Sequence, residues 1–142
     1  MVMESLLYIS ESRIPSSDSE NELNRILAAA HTFNPSVGIT GALVFTGAHF
    51  AQVIEGEEDS ISSLISSIER DQRHSQVNIV ARDTLLERRF PDWSMAYHGP
   101  SQFVSRHVTV LLNDRSRGTS SRAADWLEDL LVEFAGRKYM PN

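Results

Sequence analysis

Two polar side chains stand where strand periodicity turns them toward a core. Tyr8 lies in the run 5–10, where Tyr8 and Ser10 share one face while Leu7 and Ile9 take the other. Gln52 lies in Phe50-Ala51-Gln52-Val53-Ile54 and shares its face with Phe50 and Ile54. If helices cover those faces, a phenol and a carboxamide are buried together. Each then needs a partner, because leaving such a group unpaired costs roughly 1–3 kcal/mol. A phenol keeps its proton up to a pH near ~10, and one carboxamide is both donor and acceptor. The chemistry open to the pair is therefore an exchange of protons and hydrogen bonds.

Taken singly, these residues have plainer readings. Tyr8 alone is a core tyrosine bonded to backbone, and an exposed edge strand would account for Gln52. Asn34 before Pro35 is an ordinary helix stop. Arg73 and His74 read as a solvated helix end, where cations favour the C-terminal dipole, with Asp71 beside them. Trp93 and Met95 share one face of a later strand and suit irregular core packing.

Other chemistries are excluded or unsupported. The chain has no cysteine, hence no disulfide, thiolate ligand or thiol nucleophile. His31, His49, His74, His98 and His107 show no paired metal-site spacing. Gly38-Ile39-Thr40-Gly41 lacks the Lys-Ser/Thr of a phosphate loop. A net charge of −6 over 142 residues argues against direct nucleic-acid binding. The N-terminal residues have no basic region and too short an apolar stretch for a signal peptide or membrane span, so a cytoplasmic location is expected.

The elements that position these residues follow from pattern. A first strand covers 5–10. Ser17 with Glu20, or Ser19 with Glu22, offers a capping box ahead of Leu23, Ile26, Leu27 and Ala30 at helical spacing, and this first helix ends near Asn34 and Pro35. Strands at 42–45 and 50–54 flank the turn Thr46-Gly47-Ala48. Glu57, Glu58 and Asp59 suit the start of a second helix carrying Ile61, Leu64, Ile65 and Ile68 and ending near Asp71. Fourth and fifth strands are expected at 77–81 and 93–97. The order predicts an α+β, ferredoxin-like, mixed five-stranded sheet with two helices on one face. Two regions are expected: a domain over 1–98 and an extension over 99–142. In the extension, 103–112 is ambiguous, while Ala123, Trp126, Leu127, Leu130, Leu131 and Phe134 mark a terminal helix with a partly interfacial role.

Five separated motifs carry a resemblance. They are Leu7-Tyr8-Ile9-Ser10; Asn34 followed by Gly38-Ile39-Thr40-Gly41; Phe50-Ala51-Gln52-Val53-Ile54-Glu55-Gly56; Asp71-Gln72-Arg73-His74; and Arg88-Arg89-Phe90-Pro91-Asp92-Trp93-Ser94-Met95. In this order and spacing the sequence resembles the BLUF domain, the family of blue-light sensors using FAD. Ala51 stands where relatives often carry a bulkier apolar residue, and Phe33 where many carry a polar one.

The resemblance implies a non-covalently bound flavin, FAD foremost, with FMN or riboflavin possible. Tyr8 would donate an electron and then a proton to the excited ring, and Gln52 would rearrange its hydrogen bonds between Tyr8 and the flavin. Ser10, Asn34, Asp71, Arg73 and His74 would complete the cofactor site, and Trp93 and Met95 would relay the change. No enzymatic output is expected. The stretch after Gly99 is too short for one, so signalling is expected through a separate effector protein or a change in a homo-oligomer. A small flavin oxidoreductase and a cofactor-free ferredoxin-like interaction module are the competing expectations.

Overall fold

The computed structural model describes residues 2–90 and 93–98, the last six by backbone alone. The expected extension, with its terminal helix, lies outside the described residues. The chain runs β1 (Met3–Ser12), a 3-10 turn (Ser16–Asp18), α1 (Ser19–Ser36), β2 (Thr40–Phe45), β3 (His49–Glu57), α2 (Glu58–Arg70), β4 (His74–Leu85) and β5 (Trp93–His98). The strands lie in the order β4-β1-β3-β2-β5. β1 pairs antiparallel with β3 and β4, and β2 antiparallel with β3. Those four strands with two helices make the ferredoxin-like α+β arrangement; the backbone of β5 lies parallel along β2.

Period two decides what each face of the sheet carries. Leu6 and Tyr8 of β1, Leu43 and Phe45 of β2, and Phe50 and Ile54 of β3 form one core with Leu23 of α1 and Ile61 and Ile65 of α2. Ile26, Leu27, Ala30, Leu64 and Ile68 pack against it, so both helices cover the same face. Burying one such aliphatic side chain contributes about 1.5–3 kcal/mol. The opposite face is buried too, with Leu7, Ile9, Val44, Ala51 and Val53 all nearly inaccessible.

Several boundaries differ from those the sequence suggests. The N-cap of α1 is Asp18, whose side chain makes no capping hydrogen bond, rather than either of the serines expected there. A 3-10 turn closed by Asp18 N–H donating to the Pro15 carbonyl leads into the helix instead. Pro35 lies inside the last turn of α1 rather than ending it. The exit is made by the Val37 and Ile39 N–H groups, both donating to the Asn34 carbonyl, with Gly38 at φ 71°. β4 is far longer than expected, because backbone pairing with β1 continues past the point where apolar alternation stops at Arg82 and Asp83.

Two features fix the centre of the sheet. Gly41 opens β2 at φ 150°, and a Cβ there would lie 2.0 Å from the Val53 carbonyl oxygen, so any side chain would separate β2 from β3. β3 lies between β1 and β2, so Gln52 is on an interior strand and its burial owes nothing to an exposed edge.

Candidate functional site

Register brings the two polar side chains together. Tyr8 of β1 lies opposite Gln52 of β3, which lies opposite Leu43 of β2. The Tyr8 hydroxyl donates to Gln52 Oε1 at 2.8 Å. Above this pair a cavity of about 290 Å³ opens between the sheet and the helices. Tyr8, Leu43, Phe50 and Gln52 form its floor. Ile26, Ala29, Ala30, Phe33 and Asn34 of α1 make one wall, and Leu64, Ser67 and Ile68 of α2 the other. Asp71, Arg73 and His74, from the turn after α2 and the start of β4, close one end.

Most of the lining is apolar, and its neutral polar groups keep spare hydrogen-bonding capacity. Gln52 is 5% exposed and Asn34 2% exposed. The Gln52 carbonyl is taken by Tyr8, leaving its NH₂ group directed at no partner among the described residues. The Asn34 carboxamide is likewise held by no side-chain hydrogen bond among the described residues, its backbone carbonyl alone being used in the helix exit. Neither amide is sealed away without a partner, His49 Nδ1 being the one such side-chain atom among the described residues; both line the cavity and are open to a ligand there.

The charges at the end of the cavity are satisfied by one another. Arg73 donates from Nε to Asp71 Oδ1 at 3.0 Å and from Nη2 to Asp71 Oδ2 at 2.6 Å, and its backbone N–H also reaches Asp71 Oδ1. Those bonds hold the Asp71 carboxyl below the usual carboxylate range despite partial burial. Burial, with the negative charge of Asp71 as the smaller cause, pushes the Tyr8 phenol far above its ordinary value, so it holds its proton at any physiological pH. His74 is pushed down to about 4, chiefly by burial, with Arg73 adding to the effect and Asp71 opposing it. The neutral imidazole lies edge-on to Tyr8, its Nδ1 2.7 Å from Ser10 Oγ, and its ring centroid is 4.4 Å from that of Phe50.

Six of the residues singled out in the sequence line this cavity: Tyr8, Asn34, Gln52, Asp71, Arg73 and His74. Ser10 does not line it; it reaches the cavity only through His74. Arg73 and His74 are not a solvated helix end, since α2 stops at Arg70 and His74, 9% exposed, opens a strand. The side chains of Trp93 and Met95 lie outside the described residues. By backbone register Met95 stands opposite Leu43, in the row of Tyr8 and Gln52, and Trp93 opposite Gly41. The sequence reading missed Ala29, Ala30, Leu64, Ser67 and Ile68 as wall residues and Leu43 as part of the floor. The helical stripe would have supplied Leu64 and Ile68, and the two alanines signal an α1 face with room beside it. Phe33 lines the cavity and yet is 47% exposed, which places it at the mouth.

Among the described residues no group of histidine and carboxylate side chains could hold a metal ion, and no helix is long and apolar enough to cross a membrane. Fold and cavity together define a class: a ferredoxin-like α+β domain holding a ligand slot with apolar walls and a neutral, hydrogen-bonding floor.

The family model BLUF, described as sensors of blue-light using FAD, matches residues 3–96, and the chain belongs to that family. The domain over these residues is a blue-light sensor of the flavin-using kind. Among curated relatives, the photoactivated adenylate cyclase subunit beta of Euglena gracilis is 30% identical over 90 residues, which is 63% of this chain and 10% of the relative. The blue light- and temperature-regulated antirepressor BluF of Escherichia coli (strain K12) is 28% identical over 89 residues, 63% of this chain and 22% of that protein. The chain thus spans a small part of either relative. The dark-state structure of BlrB, a BLUF protein, has a TM-score of 0.71 at 30% identity, covering 95% of this chain and 97% of that one. The ground state of BlsA gives 0.75 at 25% identity, covering 92% and 87%.

Proposed function

We propose that Tyr8 and Gln52 are the photoactive pair, that FAD is the flavin, and that the output is a displacement of β5 read by a separate effector protein or by a second copy of the chain. The observation that carries this is the hydrogen bond from Tyr8 to Gln52 on the floor of a cavity whose remaining amide donors lack partners. The carbonyl-rich, nitrogen-rich edge of an isoalloxazine suits the Gln52 NH₂ group and the Asn34 carboxamide. At about 290 Å³ the cavity is close to the lower end of ligand pockets, roughly 300–1,000 Å³. That is room for one planar ring system, and the remainder of FAD would have to extend past the mouth at Phe33.

When bound, the flavin supplies a ring that absorbs blue light and then accepts an electron. Tyr8 would supply that electron and then its proton: burial keeps the phenol protonated beforehand, and loss of an electron would make it a far stronger acid. Gln52 accepts from Tyr8 through its carbonyl and would lose that donor if the phenol gave up its proton, leaving its amide free to change hydrogen-bond partners. Ser10 and His74 fix the neighbouring wall, and Asp71 with Arg73 orients the cavity end. Met95 and Trp93 on β5 lie two strands from Gln52 and form the first relay.

The domain is further proposed to comprise 1–98, with its fifth strand integral to the sensor and 99–142 as a helical extension in the cytoplasm, without direct nucleic-acid contacts. The decisive measurement is an absorption spectrum before and after blue illumination. A reversible red shift of bound flavin, lost in Tyr8→Phe while flavin remains bound, is expected. Steady turnover with a reductant would favour the oxidoreductase, and colourless protein that takes up no flavin would favour the cofactor-free module.

A further inference from the structure

On the face of β3 away from the cavity, Glu55 is completely buried. A buried carboxylate persists only where donors surround it. Here Thr40 Oγ1 donates to Oε1 at 3.4 Å, and the other donors come from the segment that leads into β5. The Arg89 N–H donates to Glu55 Oε1 and Oε2 at 3.1 and 3.0 Å, and the Phe90 N–H donates to Oε1 at 3.0 Å. Arg88 closes the same junction through its side chain. Its Nη1 donates to Thr40 Oγ1 at 2.8 Å and to the Glu55 carbonyl at 3.0 Å, and its Nη2 to the Gly38 carbonyl at 2.7 Å. Phe90 is itself buried, which plugs the end of the segment.

The backbone beneath is shaped for this contact. Gly38 takes φ 71°, and a Cβ on Gly56 would meet the Gly38 carbonyl oxygen at 3.1 Å and Ile39 Cγ1 at 3.2 Å. Glycine at 56 lets the loop before β2 approach β3 closely enough for one guanidinium to hold both.

Position gives the junction its meaning. Glu55 and Gln52 are three residues apart on one strand, hence roughly 10 Å apart and on opposite faces. The residues held by Glu55 are the last described ones before β5, the strand parallel to β2. We infer that Glu55 is a positioning residue for the light response. With Arg88 it clamps residues 88–90 to β3, so a change in Gln52 reaches β5 as movement about a fixed entry rather than being lost in a loose connection. This rests on the photoreceptor reading above, and the test separates the two.

The experiment is hydrogen–deuterium exchange of the full chain with bound FAD, dark and illuminated, for wild type, Glu55→Gln and Arg88→Gln. Glutamine keeps the volume of Glu55 but turns an NH₂ group toward the backbone donors. Expected for Glu55→Gln is dark exchange at the Arg89 and Phe90 amides at least about tenfold faster, with the flavin red shift retained in full. The light-minus-dark difference over 93–98, present in wild type, should fall to less than half. Arg88 is exposed, so its variant folds whatever becomes of the buried one, and it should show the same pattern at about threefold. Unchanged exchange at 89–90 in both variants overturns the clamp. A red shift lost together with the protection, in both variants, reduces Glu55 and Arg88 to props of the fold and overturns the positioning role. So does a light response over 93–98 that survives intact. Wild-type protein with flavin but no red shift removes the photoreceptor reading and the coupling to light, whereas the dark exchange at 89–90 still decides the clamp itself.

Discussion

The floor and the end wall of the cavity follow opposite rules. On the floor, Tyr8, Gln52 and Asn34 are neutral, each no more than 5% exposed, and joined only by the Tyr8 to Gln52 hydrogen bond among the described residues. At the end wall, the Asp71 and Arg73 side chains are charged, 27% and 31% exposed, and locked in a forked pair with Glu22 3.6 Å away. The difference follows from the cost of burial. A neutral amide can stand partly unpaired until a ligand completes it, whereas a charge taken from water must find its counter-charge within the fold. The floor is therefore the part free to rebond, and the end wall is a fixed frame.

The largest effect expected from this contrast is at Gln52. Gln52→Leu should abolish the light-driven red shift, and in the flavin-free protein it should cost about 1–3 kcal/mol by leaving the Tyr8 hydroxyl unpaired. Difference spectra and urea unfolding check both, and a shift that survives would break the contrast at its centre.

His74 joins the two regions, and its prediction is one of pH. Its folded value of about 4 lies below the ordinary 6.5, so the unfolded chain takes up the proton first. Stability should be level above pH 6.5, decline as pH falls from there to about 4, and lose no more to this group below that. The full loss is roughly 3 kcal/mol at the ordinary value per pH unit. Unfolding midpoints at pH 7, 5.5 and 4.5 should show the slope in wild type and its flattening in His74→Gln; equal slopes would show that burial of this imidazole is not what the fold protects.

Smaller effects should separate floor from frame. Asn34→Ala is expected to weaken flavin binding about tenfold, near 1.4 kcal/mol, with the shift of the remaining bound flavin intact. Asp71→Asn should cost no more than ~1 kcal/mol of stability, because the pair it breaks is partly exposed and screened. It should leave the red shift in place, as read by flavin titration and the illuminated spectrum. If Asp71→Asn removed the shift and Asn34→Ala did nothing, the roles of floor and frame would be reversed.

How much was legible beforehand varies by residue. Tyr8 and Gln52 could each be assigned to a face shared with Leu6, Phe50 and Ile54, because a strand has only two faces; which face the helices cover stayed open, since Leu7, Ile9, Ala51 and Val53 make the other face apolar too. The helices announced themselves through Leu23, Ile26, Ile61 and Ile65. Asn34 was no more than a helix stop, Arg73 and His74 resembled a helix end, and Glu55 carried no sign of its partners. Their surroundings come from residues far away in sequence: Ser10 for His74, and Arg89 and Phe90 for Glu55. The start of α1 differs from expectation for a related reason, since the turn closed on Pro15 places the N-cap at Asp18.

By itself, then, the sequence determined the local elements and which residues share a strand face with Tyr8 and Gln52, because periods of two and 3.6 residues are properties of the backbone that every side chain inherits. Tertiary structure alone decided that the strand order places Gln52 at the centre of the sheet, that Gln52 lines a cavity under the helices, and that Glu55 on the other face receives the chain entering β5. Those outcomes depend on register and chain closure between distant segments, where a shift of one residue would reverse every face, and no local pattern records which register gives the lowest free energy.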